Sequence, residues 1–130
     1  TLKDIISYNN LEKKIRAPYG QLRFTNIEKD TTSQADLERI KSNLKTKART
    51  FFEALVTKNL DAILSMNNSH SAYSAVAGYP NLTIPMGYKK TGEPISLTFI
   101  GKSNEEVKLL SLGYAFEQLT NHRKLPENFK

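Results

Sequence analysis

Few residue groupings in this sequence have the types and spacing needed for nucleophilic chemistry. Ser69-His70-Ser71 sets a hydroxyl on either side of an imidazole. Neighbours in sequence seldom pair as nucleophile and base, because such groups are assembled in space, and no Gly-x-Ser-x-Gly elbow surrounds them. One Ser-x-x-Lys match, Ser42 to Lys45, falls on the exposed side of a predicted helix and has no companion motif. These residues therefore predict no catalytic group in this chain.

Metal and cofactor chemistry is not predicted either. His70 and His122 are far apart in the sequence, and neither has a partner at a metal-binding spacing. The chain has no cysteine, which removes disulfides, thiolate ligands and thiol nucleophiles together. The glycines are isolated, so the sequence contains no glycine-rich phosphate loop. We expect no metal site and no cofactor.

The net charge is +6, from 19 basic and 13 acidic residues in a chain of 130. The basic residues are spread along the chain without a run of five or six. The densest stretch, Arg39 to Arg49, lies on a predicted helix whose other face is apolar, and no aromatic residue interleaves with its lysines. A solvated helix face explains this pattern, so we expect no nucleic-acid partner. A stand-alone basic module that binds RNA or another anionic surface remains an alternative.

The composition also bears on membranes and compartment. No apolar run approaches the roughly 18 residues that a membrane-spanning helix needs. The start, Thr1-Leu2-Lys3-Asp4, has no apolar segment of the kind that signal peptides carry. We therefore expect no membrane partner and favour the cytoplasm. Because the first residue is not methionine, we expect that the chain was processed or is one piece of a longer chain.

Two strong helices and three strands form the predicted scaffold. Apolar residues at three- and four-residue steps from Leu37 to Leu55 predict an amphipathic helix over about 33–59. A second helix, about 104–121, is apolar over more than half of its circumference, which predicts deep packing. Three apolar segments predict strands over residues 61–66, 82–88 and 95–100. A segment of small residues that ends at Gly78 predicts a short helix over residues 71–77.

This order of elements predicts an α/β fold. Strands with apolar residues on both faces need cover on both sides, which indicates part of a larger sheet. Pro85 cannot donate a hydrogen bond to a ladder, so its strand should be kinked or unpaired there. Apolar residues from Leu2 to Ile15 suit a short helix that ends before Pro18 and Gly20, and residues 1–32 as a whole are predicted to be an irregular N-terminal extension. We predict that residues 1–130 form a single domain.

Several stretches resemble the C-terminal end of the amidase signature family. Residues 77–88, AGYPNLTIPMGY, show a Gly-aromatic-Pro turn followed by a Thr-Ile-Pro-x-Gly strand. Residues 92–101, GEPISLTFIG, are similar to the next strand of the family, with Ser96 where the family usually has glycine. Residues 106–118 resemble its last helix. Weaker similarity upstream, including residues 60–64, resembles a bacterial branch of the family and extends the match to most of the chain.

The resemblance implies a fragment of the amidase signature fold, with a few strands of a larger mixed sheet packed by the two main helices. It implies amide hydrolysis by a Ser–cis-Ser–Lys triad. This sequence contains no Ser-Ser pair, so no catalytic residue can be transferred to it. In the family, the loop after the Asp-Ala-Ile-Leu strand borders the substrate pocket. The resemblance therefore predicts that Asn67 and Asn68 contact a small amide substrate, and a plain turn is the alternative.

We expect the chain to be the C-terminal portion of an amidase that supplies scaffold and part of the substrate pocket and is inactive alone. Whether this chain is itself an enzyme stays open at this point. A degenerate remnant of an amidase gene is a further alternative. Because part of a sheet exposes a strand edge and an apolar surface, we expect the isolated chain to self-associate.

Overall fold

Residues 1–125 are described here from a computed structural model. They form two compact units, Thr1–Glu38 and a second unit that begins at Arg39. The assignment of residues 1–130 to one domain stays a prediction. Among the described residues, no helix is long and apolar enough to cross a membrane.

The first unit is helical, so the prediction of an irregular segment over 1–32 is wrong. It contains α1 (Leu2–Leu11), α2 (Lys13–Arg16) and α3 (Leu22–Glu28). Thr1 and Asp4 form a capping box that starts α1. The Gln21 side chain bonds to both Asn9 and Asn10, at 3.0 and 2.9 Å, and so ties the start of α3 to α1. The break at Pro18 and Gly20 is therefore only a turn between helices.

The long helix predicted over 33–59 is divided in two. α4 covers Gln34–Phe51 and α5 covers Glu53–Thr57. Phe52 leaves the helical conformation at the junction, and its N–H bonds to the Arg49 carbonyl at 3.0 Å. Phe52 and Leu55 are completely buried. The break directs the side chains of Phe52 and Leu55 into the same core. The regular apolar pattern of one continuous helix does not predict this break.

The three predicted strands are confirmed as β1 (Ile63–Met66), β2 (Asn81–Tyr88) and β3 (Pro94–Ile100). They form an antiparallel sheet in the order β1-β3-β2, so β3 is central. The register shifts between Pro85 and Gly87, which is the irregularity that proline predicts. It lies on an edge strand, where a missing N–H costs least.

Helices cover both faces of this sheet. α7 (Glu106–Thr120) packs on one face, around Ile84, Phe99 and Leu109. A Cβ on Gly113 would clash with the side chain of Leu82, so the glycine lets α7 approach β2 closely. The opposite face packs against α4, α5 and α6 (Ser71–Ala77), in a core formed by five buried residues: Ala48, Phe52, Leu55, Ala77 and Ile100.

The expectation that the last helix is deeply packed is wrong for its outer side. Val107, Leu110, Tyr114 and Leu119 are 60–87% exposed. The apolar pattern runs around most of the helix, but the described part of the chain provides a partner for only one side. The outer apolar side is therefore open in this chain.

Candidate functional site

Hydroxyl groups run across the face of the sheet that is opposite to α7. Ser65, Thr98 and Thr83 are cross-strand neighbours on β1, β3 and β2. Ser65 and Thr98 are buried, whereas Thr83 is exposed. The hydroxyls of Thr83 and Thr98 are hydrogen-bonded at 2.8 Å. The row therefore leads from the buried interior to an accessible surface.

Asn67 closes this row at the end of β1. Its φ is 52°, a left-handed conformation that asparagine tolerates better than most residues. Its N–H donates to the Ser96 carbonyl at 2.8 Å, and its Oδ1 accepts from Ser96 N–H at 2.9 Å. Its carbonyl also accepts a hydrogen bond from the Thr98 hydroxyl. The side-chain oxygen of Asn67 thus holds the end of β1 against β3.

Asn68 is different. Its side chain is exposed, and no hydrogen bond joins it to another residue within 1–125. Its backbone carbonyl accepts bonds from the N–H and the hydroxyl of Ser71, at 3.1 and 2.8 Å. Of the two residues predicted to bind substrate, Asn68 is the one with an exposed side chain, whereas Asn67 is half-buried and its Oδ1 already accepts from Ser96.

His70 pairs with neither of its serine neighbours, as the sequence argument expects. Ser69 and Ser71 donate to the backbone carbonyls of Met66 and Asn68. The imidazole Nδ1 instead lies 2.8 Å from Oγ of Ser65. Ser65 is only 4% exposed, so its hydroxyl is out of reach of a substrate in solution. This pair was missed from the sequence because no motif connects residues 65 and 70.

A cavity of about 910 Å³ opens beside the β2–β3 hairpin. Thr83, Pro85 and Ser96 line it from the strands, and Arg123 and Lys124 line it from the segment after α7. Ser96 also bonds to Asn67, so the cavity and the Asn67 loop share a residue. The only charged residues in the described lining are basic. The cavity thus combines hydroxyls, apolar strand residues and cations.

The segment after α7 is anchored beside this cavity by Tyr88. The backbone N–H of Lys124 donates to the Tyr88 hydroxyl at 3.1 Å. The Lys124 ammonium lies 5.6 Å from the centre of the same ring, within the range of a cation–π contact. This part of the site was not predicted, because it depends on contact between residues that are distant in sequence.

No metal centre is found among residues 1–125, where no group of three or more potential ligands occurs. The pKa of Glu105, at the start of α7, is lowered mainly by the hydrogen bond from Lys108, with a further contribution from the Lys102 N–H. The described lining of the cavity therefore offers hydroxyl groups and cations for binding.

Comparison with known proteins gives matches over nearly the whole chain. No family model matches. A probable amidase from Arabidopsis thaliana is 34% identical in an alignment of 131 positions, which covers 98% of this chain and 25% of that protein. A glutamyl-tRNA(Gln) amidotransferase subunit from Halorhodospira halophila is 38% identical over 56 residues, which is 42% of this chain and 11% of that protein.

Solved structures give the same result for the fold. An amidase family protein from Bacillus anthracis matches with a TM-score of 0.91 and 38% identity, over 98% of this chain and 25% of that one. The peptide amidase from Stenotrophomonas maltophilia matches with a TM-score of 0.84 and 29% identity, over 100% of this chain and 30% of that one. The chain spans between a quarter and a third of the length of these structures. The chain is thus similar over nearly its whole length to one segment of amidase family proteins, and it has the fold of that segment.

Proposed function

We propose that this chain supplies the part of an amide hydrolase that supports and borders the substrate pocket, and does not supply the nucleophile. One observation carries the proposal. The chain matches an amidase family structure over 98% of its length, yet its sequence has no Ser-Ser pair. The nucleophilic serine, the second serine, the lysine and the oxyanion hole would then come from the part of the fold outside the match.

Within such an enzyme, the Asn68 amide would contact the substrate. A primary amide can donate and accept at once, which suits recognition of another amide group. Asn67 would hold the loop in place through its bonds to Ser96. The cavity beside Ser96 offers space for the rest of the substrate. This assignment of Asn67 and Asn68 is supported by their positions and by the resemblance of the loop.

A chimera tests the proposal. The matching segment of the Stenotrophomonas peptide amidase is replaced by this chain, and hydrolysis of a peptide amide is measured. We expect turnover, and we expect Asn68→Ala to reduce kcat/KM about 3- to 10-fold, as for the loss of one hydrogen bond. The matched control is Ser69→Ala, because the Ser69 hydroxyl donates its hydrogen bond to the Met66 carbonyl.

Two outcomes would contradict the proposal. A folded chimera without turnover would favour the remnant of an amidase gene. An Asn68→Ala chimera with unchanged kcat/KM would remove this residue from the pocket and leave the plain-turn alternative.

A further inference from the structure

The hydroxyl of Thr83, in the lining of the cavity, belongs to a series of hydrogen bonds with a fixed direction. Thr83 on β2 and Thr98 on β3 are cross-strand partners, and their hydroxyl oxygens are 2.8 Å apart. The Thr98 hydroxyl also meets the Asn67 carbonyl, which can only accept, so the single Thr98 proton goes to Asn67. Between the two threonines, Thr83 is therefore the donor and Thr98 the acceptor.

Ser96 is a second hydroxyl of the lining, and its proton is also directed into the chain. The side-chain atom of Asn67 that accepts from the Ser96 N–H at 2.9 Å must be Oδ1, because the amide nitrogen can only donate. The Ser96 hydroxyl lies 3.3 Å from this Oδ1 and donates to it. A hydroxyl oxygen has two lone pairs, so Thr83 and Ser96 both remain acceptors on the cavity side.

The third hydroxyl of the described lining follows the same rule. Tyr88 accepts from the Lys124 N–H at 3.1 Å and donates its own proton to the Lys124 carbonyl at 3.4 Å. The charged groups of the described lining, Arg123 and Lys124, are cations that carry only donors. They would repel a ligand ammonium placed beside the hydroxyls. An uncharged N–H is therefore the ligand group that suits Thr83 and Ser96.

We infer that Thr83 is a specificity-determining residue that accepts a hydrogen bond from an uncharged N–H of an amide substrate, with Ser96 as a second acceptor beside it. This inference rests on the proposed function, which gives the cavity to the substrate. Thr98 is a positioning residue, because its bond to Asn67 commits the Thr83 proton to Thr98. All of these bonds lie within the chain, so the polarity of Thr83 does not depend on what else surrounds the cavity.

Substrate analogues that lack one N–H test this role in the chimera with the Stenotrophomonas peptide amidase. The substrates are N-acetylalaninamide, O-acetyl-lactamide, which lacks the internal N–H, and N-acetylalanine methyl ester, which lacks the terminal NH2. Release of ammonia or, for the methyl ester, of methanol measures cleavage at the same carbonyl carbon. We expect Thr83→Val to lower kcat/KM about 3- to 10-fold for N-acetylalaninamide, as for the loss of one hydrogen bond, and less than about twofold for one of the two analogues.

Two further variants separate recognition from packing. Thr83→Ser keeps the hydroxyl and should retain kcat/KM on all three substrates. Thr57→Val is the matched control, because Thr57 is exposed on α5, outside the described cavity lining, and its hydroxyl donates to the Glu53 carbonyl. Equal losses on all three substrates from Thr83→Val, or no loss on N-acetylalaninamide, would overturn the inference.

A binding measurement on the intact 130-residue chain gives a second readout that needs no turnover. In a nuclear magnetic resonance titration, N-acetylalaninamide should shift the Thr83 methyl signal saturably, whereas methyl O-acetyl-lactate, which has no N–H, should not. Absence of a shift, or the same shift with both compounds, would overturn the inference. The expected shift together with a folded chimera that has no turnover would contradict the proposed function and leave the acceptor role of Thr83 intact.

Discussion

Asn67 and Asn68 are adjacent but have different roles in the structure. Asn67 turns the chain out of β1 with a φ of 52°, and its side-chain oxygen accepts from Ser96. Asn68 has an exposed side chain and is the next residue along the chain. At the scale of single residues, the loop thus separates a group that fixes geometry from a group that can meet a ligand.

This difference predicts different effects on stability. Asn67→Ala should lower the free energy of unfolding by about 1–3 kcal/mol, because the half-buried N–H of Ser96 loses its acceptor. Asn68→Ala should change it by less than about 0.5 kcal/mol, as for most exposed positions. Urea unfolding of the two variants beside the unmodified chain measures both values. Equal effects at the two positions would contradict the division of roles.

The sequence could predict the loop but not this division. The resemblance indicates residues 67 and 68 together, because they follow the strand now seen as β1. Which of the two is engaged depends on Ser96, which is 29 positions away and meets the loop only after β1 and β3 pair. The Ser65–His70 contact has the same origin, since the turn after β1 brings the ring back onto the strand.

At the scale of elements, the start of α7 is held by a small polar cluster. Glu105 accepts hydrogen bonds from the Lys102 N–H at 3.2 Å and from the Lys108 ammonium at 3.1 Å. Lys108 also lies 3.4 Å from Asp61, which precedes β1. The cluster therefore links the helix that covers β2 to the strand at the other edge of the sheet.

The lowered pKa of Glu105 gives a pH-dependent prediction. A folded-state pKa below the ordinary value of 4.5 stabilises the fold above that pH, and this contribution is lost as the pH falls through the folded-state pKa. We expect Glu105→Gln to lower the urea midpoint at about pH 7 and to have a progressively smaller effect toward about pH 2, as protonation neutralises the Glu105 side chain. Urea midpoints measured across that range, with the exposed Glu117→Gln as control, test this expectation. A difference that persists in acid would assign the effect to packing.

Most elements were predicted from the sequence because their patterns are local. The three strands, α6 and α7 fall at the predicted positions. The helical period from Leu2 to Ile15 is visible in the sequence, and α1 lies within it. The helix over Leu22–Glu28 was not predicted, because its position depends on contacts of Gln21 with α1. The interruption at Phe52 was missed because the apolar period continues through it, and only the position of the core requires the turn.

At the scale of the whole molecule, large apolar side chains stay exposed on the second unit. The outer side of α7 and the β1 edge both show large apolar side chains to solvent. The apolar pattern predicted strands and a helix whose faces are all buried by other elements. It could not show which of these faces the chain buries with its own elements, because that depends on α7 packing on β2 and not on β1.

This exposed surface leads us to expect self-association of the isolated chain. In the absence of another partner, the β1 edge and the adjacent apolar face are available to a second copy. Sedimentation velocity should show dimers or larger species at high concentration, and Met66→Lys should shift the distribution toward monomer. A clean monomer at high concentration would contradict this expectation.

The central proposal is that this chain supplies part of an amidase fold and the border of its substrate pocket but does not supply the nucleophile. The most direct test is hydrolysis of simple amides, such as benzamide and amino-acid amides, by the purified 130-residue chain alone. We predict product formation at the rate of a heat-denatured sample of the same chain. Turnover above that control, retained through successive purification steps, would contradict the claim.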